Sequence, residues 1–286
     1  MIGIIGGSGL YRMEEIEGLE DLKEKQVDTP FGAPSAPYLV GTMEDKGVAF
    51  LARHGMWHRL LPSEINHRAN IYGFKKLGVE RIIGVSAVGS MREHIKPLDI
   101  VLPDQFFDRT KQGREATFFG GGIAAHIPFS QPVCPEMADV LDRAGKETGA
   151  KIHRGGVYIN MEGPAFSTKA ESIVYRRWGM DVIGMTAIAE AKLSREAEIC
   201  YANLALVTDY DCWHEGEPVE MDMIISNMGK SAETAGKIIT LFLGLIPLER
   251  KCACSEALKY ALATDKSDIS DEIKEKLAII IGRYIE

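Results

Sequence analysis

No apolar run in this sequence reaches the length of a membrane span, and no charged-then-apolar leader opens it. Met1 leads directly into an Ile-rich stretch, so the chain reads as cytoplasmic, with no membrane partner. Positive charge is also short. Lys and Arg number 33 against 41 Asp and Glu, a net charge of −8; a duplex nucleic-acid binder would normally show a basic face. Any phosphate held by this chain needs a local basic pocket, because the chain as a whole repels anions. Cysteine is sparse: Cys134, Cys200, Cys212, Cys252 and Cys254 are expected to be buried reduced thiols. Cys252-Ala253-Cys254 has no second Cys or His pair at zinc spacing nearby, so no structural metal site is expected. Repeats, low-complexity tracts and linkers are absent too, and residues 1–286 are expected to form one domain, with C-terminal helices from about residue 255.

What is present is an alternation of short apolar runs with longer helical patterns. Strands are predicted at Ile2–Ile5, Tyr38–Thr42, Val48–Ala52, Arg81–Ser86, Asp99–Leu102, Gly156–Met161, Asp181–Met185 and Tyr201–Thr208. Several are apolar on both faces, as central strands of a covered sheet are. Helices are predicted at Glu64–Leu77, Pro135–Thr148, Lys169–Trp178, Ile188–Glu198, Met221–Leu245, Ser255–Ala263 and Ser270–Ile285. The expected fold is therefore α/β: a single domain with a mixed, largely parallel sheet flanked by helices. Asp108–Gln131, with its three consecutive glycines and little periodicity, reads as a long surface loop or subunit-contacting insertion.

In open α/β sheets ligands bind beyond the carboxyl ends of the strands. Six predicted strands deliver small or functional residues there: Gly6-Gly7-Ser8-Gly9, Arg53-His54-Gly55, Ser86-Ala87-Val88-Gly89-Ser90, Asn160-Met161-Glu162-Gly163-Pro164, Met185-Thr186 and Asp209-Tyr210-Asp211. The glycine loop alone serves a tight turn or an anion equally well. It is no Walker loop, since no Gly-Lys-Ser/Thr follows, and Arg12 breaks the dinucleotide pattern. Its N–H groups with Ser8 suit one small phosphate. Arg53 and His54 can add a planar fork and a further donor. His54 and His58 stand four apart, yet Gly55 replaces the glutamate of a zinc-protease helix, so no metal is expected there. Asp209 and Asp211 are open to three readings: solvated charges, cation ligands, or a pair in which one carboxyl keeps its proton and donates to a base nitrogen. Phe166 can stack on a planar base or fill core.

Together these motifs resemble the trimeric purine nucleoside phosphorylase family, most closely its branch that cleaves 5′-methylthioadenosine. The resemblance is carried by Ile5-Gly6-Gly7-Ser8-Gly9-Leu10, Leu51-Ala52-Arg53-His54-Gly55, Ile65-Asn66-His67-Arg68-Ala69-Asn70-Ile71, Glu162-Gly163-Pro164-Ala165-Phe166-Ser167 and Thr208-Asp209-Tyr210-Asp211-Cys212-Trp213. It runs in order from residue 2 to about 247.

The resemblance implies that Ser8, Arg53, His54, Ser86, Ala87 and Thr186 hold phosphate, and that Met185 packs on the ribose. Phe166 would stack on the purine, with Asp209 and Asp211 reading its edge. Met221, Ile224 and Ile225 would line an apolar 5′ pocket, although such a face can equally be core. His58 would lie near that pocket and His126 would reach it from a neighbouring subunit. It implies a homotrimer or a dimer of trimers, nucleoside and phosphate as the only partners, and no cofactor, since inorganic phosphate is a co-substrate. Relatives from hyperthermophiles carry disulfides, which here would be Cys252–Cys254 and Cys134–Cys200; free thiols are the baseline. A phosphorylase of inosine or guanosine and a non-catalytic nucleotide-binding domain are the two rival readings of function.

Overall fold

The structure, a computed structural model, describes residues 1–7, 18–111, 115–215 and 221–285. In chain order its elements are β1 (Ile2–Gly6), β2 (Glu20–Lys25), β3 (Tyr38–Met43), β4 (Lys46–Ala52), α1 (His67–Lys76), β5 (Arg81–Ser90), β6 (Ile100–Leu102), β7 (Gln105–Arg109), α2 (Pro135–Glu147), β8 (Ile152–Arg154), β9 (Val157–Met161), α3 (Lys169–Arg177), β10 (Val182–Gly184), α4 (Ala187–Glu196), β11 (Cys200–Asp209), α5 (Met221–Leu245), α6 (Asp271–Lys276) and α7 (Ala278–Ile285).

The eleven described strands form one mixed sheet. β1 lies between β4 and β5 and runs parallel to both. β5 is the hinge of the topology. Along one edge it pairs with β11, in parallel, from Arg81–Cys200 to Gly89–Asp209. Along the other it pairs with β1 and then, at Gly89 and Ser90, with antiparallel β10. β9 and β7 extend the sheet in parallel beyond β10, and β3 and β2 extend it antiparallel beyond β4.

The two-residue period of the strands sends Ile4, Phe50, Ile83 and Leu204 to one face and Ile5, Leu51, Ile82 and Tyr201 to the other. The first face packs on α2 and α5, the second on α1, α4 and the C-terminal segment. Both faces are covered, which is why β11 is buried at all ten positions and reads as a continuous apolar run.

Three strands escape the sequence pattern. β2 is an edge strand of charged residues with almost no buried face, β7 is mostly exposed, and β8 has three residues. Two C-terminal expectations are corrected. Ser255–Ala263 is not a helix beyond a short 3-10 turn at Ala253–Glu256. Its backbone pairs elsewhere instead: Leu258 N–H donates to Glu198 Oε1, His126 N–H to Ala261 O, and Ala263 N–H to Ala124 O. Ser270–Ile285 divides at the buried Leu277 into α6 and α7. The stretch read as a surface loop, Asp108–Gln131, begins on the last two residues of β7, and its Phe118, Phe119 and Ile123 pack in one cluster with Leu258, Ala261 and Ile281. Among the described residues, no helix is long and apolar enough to cross a membrane.

Candidate active site

A cavity of about 380 Å³ opens at the carboxyl ends of the central strands. Its wall takes Gly7 after β1, Arg53 and His54 after β4, and Ser86 to Gly89 from the end of β5. It also takes Met161 and Pro164 from the end of β9 and beyond, Gly184 to Thr186 from the end of β10 and the start of α4, and Thr208, Asp209 and Asp211 from the end of β11 and the turn after it. All six strand ends picked out by sequence thus meet in one place. β5 is longer than predicted, so Ser86 to Ser90 belong to the strand rather than to a loop after it.

One end of the cavity is organised around a buried cation. Arg53 is 1% exposed and pairs with the fully buried Glu190 of α4. Nε and Nη2 both donate to that carboxylate. Nη2 donates also to Ile5 O at 3.1 Å, and Nη1 to Val85 O at 2.9 Å. Burial works against the charge on Arg53, but the attraction of Glu190 overrides it and holds the guanidinium above its ordinary pKa.

A guanidinium has five N–H donors, and these partners occupy four. Arg53 therefore offers an anion a single Nη1 N–H rather than the two-pronged fork expected from sequence, and that nitrogen faces Gly7. Glu190 continues a buried chain. Tyr201 Oη donates to it at 2.9 Å, Asn203 Nδ2 donates to Tyr201 Oη at 3.3 Å, and Ser86 Oγ donates to Asn203 Oδ1 at 3.0 Å. Gly84 leaves the room that Tyr201 and Glu190 fill. Because Ser86 spends its hydroxyl proton on Asn203, a donor from Ser86 to an oxyanion requires that proton to turn.

The N-terminus of α4 points at the same end. Thr186 is its N-cap, lies on the cavity wall, and makes no side-chain capping bond. The α4 terminus therefore brings the positive end of the helix dipole to an anion. His54 Nδ1 is the donor to Leu60 O at 2.8 Å, since a carbonyl only accepts. Its ring stacks on His58 at 4.4 Å.

The other functional end is set by a bulge. β11 and β5 run in register to Val207–Val88 and resume at Asp209–Gly89, so Thr208 is the extra residue. Asn227 of α5 caps the displaced Thr208 carbonyl at 2.8 Å. Asp209 Oδ1 accepts the Asp211 N–H at 2.8 Å, and Oδ2 accepts the Thr208 hydroxyl at 2.7 Å. Asp211 Oδ2 accepts the hydroxyl of the buried Ser172 at 2.6 Å. Burial pushes both carboxyls up from their ordinary pKa, against the pull of these donors. Gly89 leaves room for this pair: a Cβ would lie a tight 3.1 Å from Asp209 Oδ1 and 3.3 Å from Asp211 Cβ.

Phe166, Met185, His58 and Ile224 also line the cavity, as do Ala87 and Met228. Ile225 does not, which corrects the expectation for it. Successive helical residues are about 100° apart, and with Ile224 turned inward Ile225 stands 60% exposed. The residue one turn on, Met228, takes the place. His126 is exposed and outside the cavity wall of this chain. Ser8 and the side chain of Met221 lie outside the described residues. Glu190, Tyr201, Asn203, Ser172 and Met228 were missed in the sequence. Of these only Met228 had a signal, its four-residue spacing from Ile224.

All five cysteines are free, and neither disulfide that the resemblance implied is formed. No metal site was expected from the local spacing of Cys252 and Cys254, but the partners come from elsewhere in the chain. Folding gathers Cys134, Cys200, Cys252 and Cys254 with their sulfurs all within 4.8 Å of one another, away from the cavity.

The phosphorylase superfamily model matches residues 1–244. The chain is 57% identical over 286 residues to an S-methyl-5′-thioadenosine phosphorylase of Geobacter sulfurreducens, covering 100% of this chain and 99% of that protein. A namesake from Thermofilum pendens is 46% identical over 261 residues, with 91% and 98% covered. Among solved structures, a methylthioadenosine phosphorylase from an antarctic soil metagenomic library superposes with a TM-score of 0.92 at 48% identity, covering 98% of each chain. One from Schistosoma mansoni, in complex with adenine, gives 0.83 at 32% identity over 98% of this chain and 97% of that one.

Proposed function

This chain belongs to the phosphorylase superfamily, and on that premise we propose that its cavity cleaves S-methyl-5′-thioadenosine with inorganic phosphate, giving adenine and 5-methylthioribose 1-phosphate. The observation that carries the reading is one cavity holding both an anion end, built by Arg53 and the α4 N-terminus, and a buried carboxyl pair, Asp209 and Asp211. Relatives that match 100% and 91% of this chain bear the same activity in their names.

The chemistry follows from those two ends. Breaking the glycosidic bond develops positive charge on the sugar ring and negative charge on the departing purine. A phosphate dianion held by Arg53 Nη1, Thr186, the Ala87 backbone and His54 stabilises the first and supplies the attacking oxygen. Asp209 keeps its proton to higher pH than an exposed carboxyl and delivers it to purine N7 as the bond breaks. Asp211, steadied by Ser172, accepts from the 6-amino group. Phe166 stacks on the base, Met185 packs on the ribose, and Ile224 with Met228 forms the apolar seat of the methylthio group. Phosphate is nucleophile and co-substrate, and neither half of the reaction calls for a further cofactor. We place the enzyme in the cytoplasm as a homotrimer or a dimer of trimers, with Trp57, Leu61, Phe166 and Ile225 as exposed apolar surface for a neighbouring subunit to cover.

The test is kcat/KM at saturating phosphate for methylthioadenosine, adenosine and inosine. A 6-oxo group would face the Asp211 carboxylate lone pair to lone pair, a mismatch that sites of this kind discriminate by roughly 10⁴ or more. Methylthioadenosine should be the best substrate and inosine the worst. Inosine cleaved fastest would reverse the reading of the aspartate pair, and binding without cleavage of any would reduce the cavity to a nucleotide-binding site.

A further inference from the structure

The four gathered cysteines come from three separate parts of the fold. Cys200 opens β11, Cys134 is the N-cap residue of α2, and Cys252 and Cys254 lie in the segment after α5. Cys134 and Cys200 are fully buried, Cys254 is 4% exposed, and Cys252 is half-buried, which leaves one side open for entry. A tetrahedral zinc with zinc–sulfur bonds of about 2.3 Å holds its sulfurs about 3.8 Å apart. The four sulfurs already lie within 4.8 Å of one another, and Cys200 and Cys252 are 3.3 Å apart. Shifts of an ångström or less close the tetrahedron.

We propose that Cys134, Cys200, Cys252 and Cys254 bind one zinc ion per chain in a closed, structural Cys₄ site. An all-thiolate tetrahedral donor set selects zinc or iron among common divalent ions, and four protein ligands leave no open position for catalysis. The surroundings suit the charge. Four thiols release up to four protons on binding, leaving a zinc–thiolate unit of net −2. Cys134 sits at the positive end of the 13-residue α2 helix. Arg81, in register with Cys200 on the neighbouring strand, is 4% exposed, and its Nε has no hydrogen-bond partner among the described residues.

The site would fasten the segment after α5, which lies beyond the residues matched by the family model, to the start of β11 and to α2. It sits at the opposite end of β11 from Asp209. Nine residues of strand span about 30 Å, so the metal acts on stability and leaves the chemistry of the cavity alone.

The experiment is elemental analysis of the full chain purified from zinc-supplemented cells, with thiol counting under native and denaturing conditions. We expect one zinc per chain that survives gel filtration, and four cysteines protected from alkylation until a chelator and denaturant are added. We also expect a lower Tm after metal removal that added zinc restores. Cys254→Ser should lose the zinc, and Cys212→Ser should keep it. Metal-free wild type with five alkylated thiols would overturn the proposal. So would metal-free protein lighter by two or four hydrogens, the mark of disulfides, or iron in place of zinc.

Discussion

Asp209 is held by two donors whose arrangement is reversible. Thr208 Oγ1 lies 2.7 Å from Asp209 Oδ2 and 3.2 Å from Val88 O, so its proton can serve either. Asp209→Asn therefore fits without distortion: the amide nitrogen donates to Thr208 Oγ1, which turns to Val88 O. The variant keeps a donor toward N7 but cannot give up a proton. It should lower kcat by roughly 10²–10⁴ while KM changes little. Wild-type activity should also fall as pH rises through the raised pKa of Asp209, because the working form is the protonated acid; steady-state kinetics across pH, for both proteins, checks this. Glu190 makes the second residue-scale case. Glu190→Gln leaves the Arg53 charge buried without its counterion, a loss of about 3–5 kcal/mol for pairs of this kind. Thermal unfolding should show a large drop in Tm, with a raised KM for phosphate in whatever enzyme remains folded. An unchanged Tm would mean that Glu190 is not the counterion.

Elements were legible in the sequence where periodicity and burial coincide. The apolar run of β11, buried at every position, and the 25-residue α5 were both predicted, α5 to the residue. What escaped was decided between elements. At the Thr208 bulge the freed carbonyl is capped by Asn227 of α5, and nothing local to Thr208 announces it. Ser255–Ala263 has a helical pattern, yet its backbone is claimed by Glu198 and by residues 124 and 126. Six strand ends could be named from sequence because a sheet edge gathers them, whereas Glu190, Tyr201 and Asn203 look like ordinary helix and strand residues until the fold stacks them beneath Arg53. The phase of α5 was the other gap. Ile224→Ala and Met228→Ala should each raise KM for methylthioadenosine several-fold more than for adenosine, since one lost apolar contact is worth about 1–3 kcal/mol. Parallel kinetics on the two nucleosides gives the answer, and equal losses on both would make that helix face core rather than pocket.

At the scale of the whole molecule, the chain outside the matched 1–244 region is held by polar anchors as well as apolar packing. Glu198 Oε1 anchors that segment by accepting from the Leu258 N–H at 3.0 Å, while its neighbour Glu196, within the matched region, accepts from Phe118 N–H and Thr117 Oγ1. Burial pushes Glu196 up to about 7 from an ordinary value of 4.5, despite those two donors. Between these values the native chain holds a proton that the unfolded chain has released, so stability contributed at this site falls as pH rises through the window. Unfolding free energy measured from pH 5 to 8 should decline, and Glu196→Gln should flatten the decline; an identical slope in the variant would remove Glu196 as its source.

The central claim is that phosphate, not water, breaks the glycosidic bond. Its most direct measurement is adenine release from methylthioadenosine followed against phosphate concentration, with the sugar product identified by phosphorus NMR. The account predicts saturable dependence on phosphate, no release without it, and 5-methylthioribose 1-phosphate formed one for one with adenine. Equal release in phosphate-free buffer, with unphosphorylated methylthioribose as the sugar, would contradict it.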